Sequence, residues 1–256
     1  YRSKCYKIFR KMNYKVESVN PYDSERPKKE QIVEMFDSIA SKYDKLNGVL
    51  SLGIDGYWRR EALGVLKKYP HNKILDVATG TGDFAILAHK ILKPQYITAI
   101  DISEGMMVVG EEKVREKGLE EVITFDRQDC ADLSMKDNTF DAVICSFGVR
   151  NFEDIDKSFQ EVLRVLKPGG VFMFVELTRP EKSPLKELYS TYTEYVMPFM
   201  SDLLATEQKA YSYLPSSIEA FPQGREMMLI LKKNGFKRIR LRRLTLGITT
   251  MYIAEK

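Results

Sequence analysis

Residues 74–85, ILDVATGTGDFA, run an apolar stretch through Asp76, break it at Gly80 and Gly82, and resume in a helix-like pattern. That order of strand, glycine turn and helix commits this part of the chain to a β-α unit. Gly80-Thr81-Gly82-Asp83-Phe84-Ala85 matches the dinucleotide fingerprint with Ala in its last position, and Asp101 follows 21 residues after Gly80. Glycines there let backbone approach a ligand without a Cβ in the way. The N–H groups opening the next helix suit an anionic group.

The alternation continues downstream. Strands are expected near 73–78, 96–101, 122–126, 140–145, 170–176, 236–243 and 248–254, with helices near 83–92, 104–117, 153–166 and 223–234 separating most of them. This succession predicts an α/β fold with a seven-stranded, mostly parallel sheet and helices on both faces. The last two runs are joined through Leu246-Gly247 with no room for a crossover helix, so the last strand is expected to be antiparallel. Ahead of the first strand, Ile32, Met35, Phe36 and Ile39 share a helical face. Trp58, Leu63, Leu66 and Tyr69 mark a second helix, and "SKYDKLNGVLSLGID" between them reads as a loop or short helices.

Composition narrows the classes. No apolar run approaches the roughly 18–20 residues that span a bilayer. Three scattered cysteines do not make a disulfide framework, so a reducing cytoplasm is the default setting. No CxxC or HxxxH spacing points to a metal. A net charge of +4 does not by itself demand a nucleic-acid partner. Residues 1–27 read as a flexible arm, with 1–11 an overextended start ahead of Met12, and 28–256 as one catalytic domain.

The glycine turn and Asp101 serve a nicotinamide dinucleotide and S-adenosylmethionine equally, since either ribose offers two hydroxyls to a strand-end carboxylate. Later residues favour the second. Asp129 at the third strand end can accept from an adenine amine, with the Cys130 N–H facing a ring nitrogen, and Ser146 ends the fourth strand. No second domain is available for a dehydrogenase's substrate, and no histidine lies at a strand end for hydride chemistry. Gly80 and Gly82 could instead merely shape the turn, Asp101 could cap a helix at Ser103, Asp129 could form an Asx turn and Cys130 could be a small core residue.

"DVATGTGD", "AIDIS", "NTFDAVICSFGVRNFEDIDKSFQEVLRVLKPGG" and "YSYLPSSIEAFPQGREM" resemble the ubiquinone/menaquinone biosynthesis C-methyltransferases, the demethylmenaquinone type included, from "MFDSIASKYDKLN" to the C-terminus. The glycine motif is shared by very many methyltransferases, whereas "SFGVRN" with "SYLPSSI" is much narrower. The resemblance implies a class I methyltransferase Rossmann-like fold with N-terminal helices and a helical insert after the fifth strand. It implies S-adenosylmethionine as methyl donor and a prenylated quinol as acceptor, demethylmenaquinol or a benzoquinol counterpart. It implies Thr81 at the methionine end, Asp101 at the ribose, Asp129 and Cys130 at the adenine, Ser146 beneath the transferring group, and a lid from "SKYDKLN" with Tyr43 as a further cofactor contact.

Methylation of a ring carbon needs the neighbouring hydroxyl ionised, and a phenol titrates near pH ~10 in water. Arg150 and Asn151 directly follow the fourth strand. They are expected to stabilise the quinolate, or a water that takes its proton, and to position a ring oxygen; the alternative is an Arg that only caps a loop. Tyr211 and Tyr213 are weaker acceptor-side candidates, and His71 and His89 read as structural. Leu185, Leu188, Tyr192, Tyr195, Phe199 and Leu203 recur at helical spacing, as a helix covering the sheet or as a wall for an apolar acceptor. Arg238, Arg240 and Arg242 on one side of a strand are either a solvated, edge-protecting face or an attraction to anionic lipid at the inner membrane face. Other readings are a different small aromatic acceptor or, with only that basic strand pair in support, RNA; no nucleic-acid partner is expected.

Overall fold

The strands are β1 (Lys73–Val77), β2 (Tyr96–Asp101), β3 (Ile123–Arg127), β4 (Phe140–Ser146), β5 (Leu166–Leu177), β6 (Lys237–Leu244) and β7 (Thr249–Glu255). They form one sheet in the order β3-β2-β1-β4-β5-β7-β6 in a computed structural model that describes residues 14–180 and 208–256 with the isolated positions 183, 187 and 191. Neighbours from β3 through β5 are parallel, and β7 runs antiparallel to both β5 and β6. Strand order reverses at β1, whose Asp76 lies between Ala99 of β2 and Ile144 of β4. That switch point opens a crevice beyond the strands' carboxyl ends.

Around the sheet lie α1 (Lys28–Ile39), α2 (Tyr43–Leu50), α3 (Asp55–Leu66), α4 (Asp83–Leu92), α5 (Glu104–Glu116), α6 (Ile155–Val165), α7 (Gln208–Ala220) and α8 (Arg225–Lys233). Successive strand residues face opposite sides. Ile74, Ala142 and Ile144 join the core that packs Trp58, Leu63 and Leu66 of α3 and Phe84 of α4. Leu75, Val143 and Cys145 join the other, with Phe159 of α6, Phe172, Phe174 and Leu231 of α8. Helix starts follow their sequence signals: Ser103 accepts from the Met106 N–H at 3.2 Å and Asp154 from the Lys157 N–H at 2.8 Å.

Three expectations meet a different local outcome. Position 27/28 is not an edge of the packed body. From Tyr14 onward the segment expected as a flexible arm is tied down: Val16 is fully buried, Glu17 accepts the Ile155 N–H at 2.9 Å, and the Tyr14 hydroxyl donates to Asp156 at 2.8 Å. Buried Lys28 then staples that segment to the turn after β4, donating to the carbonyls of Val16 (2.7 Å) and Arg150 (3.0 Å). β5 begins four residues early, because Leu166 pairs with Phe140 before a bulge carries the ladder on to Ala142–Val171. On β6 a bulge between Lys237 and Arg240 interrupts the alternation, yet Arg238 and Arg240 both reach Glu255 and Arg242 reaches Glu61. Residues 1–13, and the apolar stripe from Leu185 to Leu203, lie outside the described residues.

Candidate active site

A cleft of about 710 Å³, open mouth included, lies at the carboxyl ends of β1, β2, β3 and β4. Gly80, Asp101, Asp129, Cys130, Ser146 and Asn151 line it, and Ala78, Phe147 and Gly148 complete the sheet-side wall. Lys29, Ile32 and Phe36 of α1 and Tyr43 of α2 close it from the N-terminal side. Gly148 is required there: a Cβ would fall 2.5 Å from that of Ala78 and 2.9 Å from the Cys145 sulfur.

Asp101 is buried and accepts from the Gly80 N–H (2.8 Å) and the Ser103 N–H (2.9 Å), so it organises the glycine turn as well as facing the cleft. Each oxygen keeps a second lone pair for a ligand. Burial raises its pKa against the lowering effect of those N–H donors. Asp129 Oδ1 accepts from the Ala131 N–H at 2.9 Å in an Asx turn, and its Oδ2 pairs with Lys29 at 2.8 Å. The Cys130 thiol is buried, and burial raises its pKa. The Ser146 hydroxyl accepts from Arg59 Nε at 3.0 Å.

Thr81 and Gly82 are not part of the cleft wall. The Thr81 hydroxyl donates to Asp44 of α2 at 2.6 Å and receives Lys113 at 3.1 Å. Lys113 also pairs with Asp44 and Asp83, which fastens α2 to the start of α4 and the last turn of α5. Gly82 has φ 75°, and a Cβ there would meet Phe125 at 2.9 Å, so it serves close packing of the turn on the sheet. Neither histidine lines this cleft; His71 Nδ1 lies 2.5 Å from the Tyr69 carbonyl, and His89 sits within α4.

A second cavity of similar size adjoins the cleft, lined by Leu50, Trp58, Leu177, Leu214, Ile218 and Ile248 with polar groups from Asn47, Ser51, Asp55, Arg59 and Arg150. Tyr43 and Phe147 line both spaces, so the two meet across these rings. Arg150 contributes to the second cavity and not to the first. Its guanidinium donates to Glu176 at 2.6 Å and to the Phe147 carbonyl at 2.5 Å, while its Nε is buried without a hydrogen-bond partner. Burial works against its charge, but Glu176 outweighs that and keeps it protonated. Asn151 accepts from the Tyr213 hydroxyl at 3.0 Å. Tyr211's side chain lies outside the described residues.

Sequence reasoning passed over Asp76, Arg59, Trp58 and Glu176. Asp76 is fully buried; its Oδ2 accepts from Thr79 at 2.7 Å and its Oδ1 has no partner. Burial pushes its pKa up to about 7. The signal was present, since a carboxylate ending an apolar strand is costly without a task. Glu176 carried the same signal in "FVELT". Trp58 and Arg59 read only as helix residues, because nothing local tells which face meets a cavity.

The polar groups around the cleft are mostly acceptors: Asp101, Asp129 and Glu153 line it, its one lining lysine is tied to Asp129, and orphaned Asp76 stands behind the turn. A pyrophosphate would meet repulsion there. A ligand with ribose hydroxyls, an amino group and positive charge would find partners, and the residues fit S-adenosylmethionine on that ground.

Comparison with known proteins agrees. A profile of the ubiE/COQ5 methyltransferase family matches residues 24–256. The chain is 51% identical to the demethylmenaquinone methyltransferase of Bacteroides fragilis over 96% of its own length and 100% of the relative's. Against the ubiquinone/menaquinone biosynthesis C-methyltransferase UbiE of Geotalea daltonii it is 41% identical, covering 90% and 97%. In fold it is similar to a SAM-dependent methyltransferase crystal structure from Thermotoga maritima, with TM-score 0.61, 18% identity and coverage of 88% and 99%.

Proposed function

The chain belongs to the ubiE/COQ5 methyltransferase family, and from that premise we propose that it methylates a ring carbon of demethylmenaquinol with S-adenosylmethionine, giving menaquinol. One observation carries the reading. The carboxylate-lined cleft and the apolar cavity share Tyr43 and Phe147, so a donor in one and an aromatic acceptor in the other would sit side by side.

S-adenosylmethionine, when bound, supplies an activated methyl group on a positively charged sulfur. Asp101 and Asp129 would hold its ribose and adenine, and the unpartnered Asp76 oxygen offers a place for its amino group. The acceptor must lose a phenolic proton before its ring carbon becomes a good nucleophile. Arg150 is the cation that lines the acceptor cavity with an unsatisfied N–H, so it stabilises the ionised oxygen. Glu176, fully buried, holds that guanidinium in place. Tyr213 holds Asn151 at the cleft wall by a hydrogen bond, and α2, fastened by Asp44, excludes water from above. Tyr43 remains a neutral phenol, since burial raises its pKa, and suits a role as hydrogen-bond donor.

The substrate's hydrocarbon tail belongs in a bilayer, so the reading includes a cytoplasmic enzyme that works at the membrane surface. No described helix is long and apolar enough to cross a membrane. Purified protein with methyl-labelled S-adenosylmethionine should transfer label to demethylmenaquinol, with a prenylated demethyl benzoquinol as the comparison arm. Absence of label in both quinols, with the protein folded and the cofactor bound, overturns the proposal.

A further inference from the structure

Leu52 and Leu246 are the most exposed large apolar side chains among the described residues, at 78% and 79%. Both stand in turns with left-handed backbone, at φ 52° and 56°. There a branched side chain crowds its own main chain, whereas glycine or asparagine is accommodated. Each position thus combines backbone strain with exposed hydrocarbon, and the fold needs neither. Strain of this kind points to a task.

The two turns are neighbours, because Trp58 Nε1 donates to the Thr245 hydroxyl at 2.7 Å. They also border the acceptor cavity. Ser51 and Asp55 line it on either side of the first turn, and Ile248 lines it just after the second. Ile54 and Tyr57 are exposed in the same place, so four of the seven exposed large apolar residues among the described ones gather here. Charge is concentrated alongside: residues 42–61 and 242–247 hold six Lys/Arg against three Asp/Glu. Arg60 packs beside Gly56, one turn from Tyr57, and Arg243 beside Gly247. Aromatic, leucine and arginine in one exposed patch is the chemistry of the headgroup boundary of an anionic membrane.

We propose that Leu52, Ile54, Tyr57 and Leu246 insert into an anionic bilayer surface and set the acceptor cavity against it, so that a prenyl tail passes between membrane and protein without crossing water. The inference rests on the quinol reading above for the tail. It moves the membrane contact away from Arg238 and Arg240 of β6, which are already engaged by Glu255.

The test is sedimentation with phosphatidylglycerol/phosphatidylcholine vesicles, comparing the full chain with Leu52→Asn/Leu246→Asn and with Arg238→Ala/Arg240→Ala. Asparagine tolerates the left-handed backbone, so the leucine variant should be at least as heat-stable as the parent. It should bind vesicles at least about tenfold more weakly, through lost apolar burial. Its turnover on demethylmenaquinol with a one-isoprene tail in solution should match the parent, while turnover on a long-tailed acceptor in vesicles falls. The β6 variant should keep its vesicle binding. Unchanged binding by the leucine variant, no vesicle binding by the parent, or a parent dimer that the leucine substitutions dissociate would each overturn the patch. If neither protein methylates any quinol yet the substitutions abolish vesicle binding, the substrate reading fails and the patch stands.

Discussion

Replacing Glu176 with alanine should damage the protein in a way that identifies Glu176 as the holder of a buried cation. Its side chain is fully buried and that of Arg150 is 8% exposed, with 2.6 Å between them. Glu176 also accepts from the backbone N–H groups of Arg150 (3.2 Å) and Leu177 (2.9 Å). Glu176→Ala therefore strands a guanidinium and two amides at once. Breaking a buried pair from one side costs about 3–5 kcal/mol, a large part of the roughly 5–15 kcal/mol that holds a folded domain together. For a chain of this size that lowers the melting temperature by on the order of 10 °C. Urea denaturation followed by circular dichroism measures the loss. The diagnostic comparison is Arg150→Met/Glu176→Met, which removes both charges and should recover most of the stability while methyl transfer stays abolished. A Glu176→Ala protein within about 1 kcal/mol of the parent, or a double variant no more stable than the single one, would refute the reasoning.

Two further outcomes follow from the same geometry. Buried Lys28 has its pKa lowered by burial from the ordinary lysine value to about 7. Between pH 7 and about 10 the unfolded chain therefore holds a proton that the folded chain has released, and stability rises with pH across that window. The urea midpoint of the parent should climb from pH 7 to 9.5 relative to Lys28→Met, and parallel profiles would remove Lys28 as the cause. Asp101→Ala should weaken S-adenosylmethionine binding by about ten- to a hundredfold, the scale of one or two hydrogen bonds to a charged group, read by calorimetry; unchanged affinity would exclude Asp101 from the ribose.

The sheet was legible because its evidence is repetitive. Each strand-end residue from Asp76 to Ser146 follows an apolar run, and each run is followed by a helix start or a turn. Gly80, Asp101, Asp129, Cys130 and Ser146 gather in one cleft for that reason: parallel strands deliver their carboxyl ends to one edge. The contacts of Thr81 were not legible. Gly80 turns the backbone so that Thr81 faces Asp44 and Lys113, partners 37 and 32 residues away whose approach no local pattern announces. The acceptor cavity was hidden for a similar reason. Leu50, Trp58 and Leu177 come from three separate elements and Ile248 from the turn before β7, and only the fold makes them neighbours. The N-terminal segment misled because its polar composition looks solvated, while its anchors are single residues, Val16, Glu17 and Lys28, buried against the turn after β4.

Trp58 is the only tryptophan in the chain, and it lines the cavity assigned to the acceptor. Its fluorescence thus reports that space and no other. Titration with a short-tailed naphthoquinone should quench the emission saturably, and saturating S-adenosylhomocysteine in the neighbouring cleft should leave that quenching in place. Emission indifferent to the quinone, or quenching that S-adenosylhomocysteine competes away, would contradict two adjoining sites with the methyl donor in one and the quinol ring in the other.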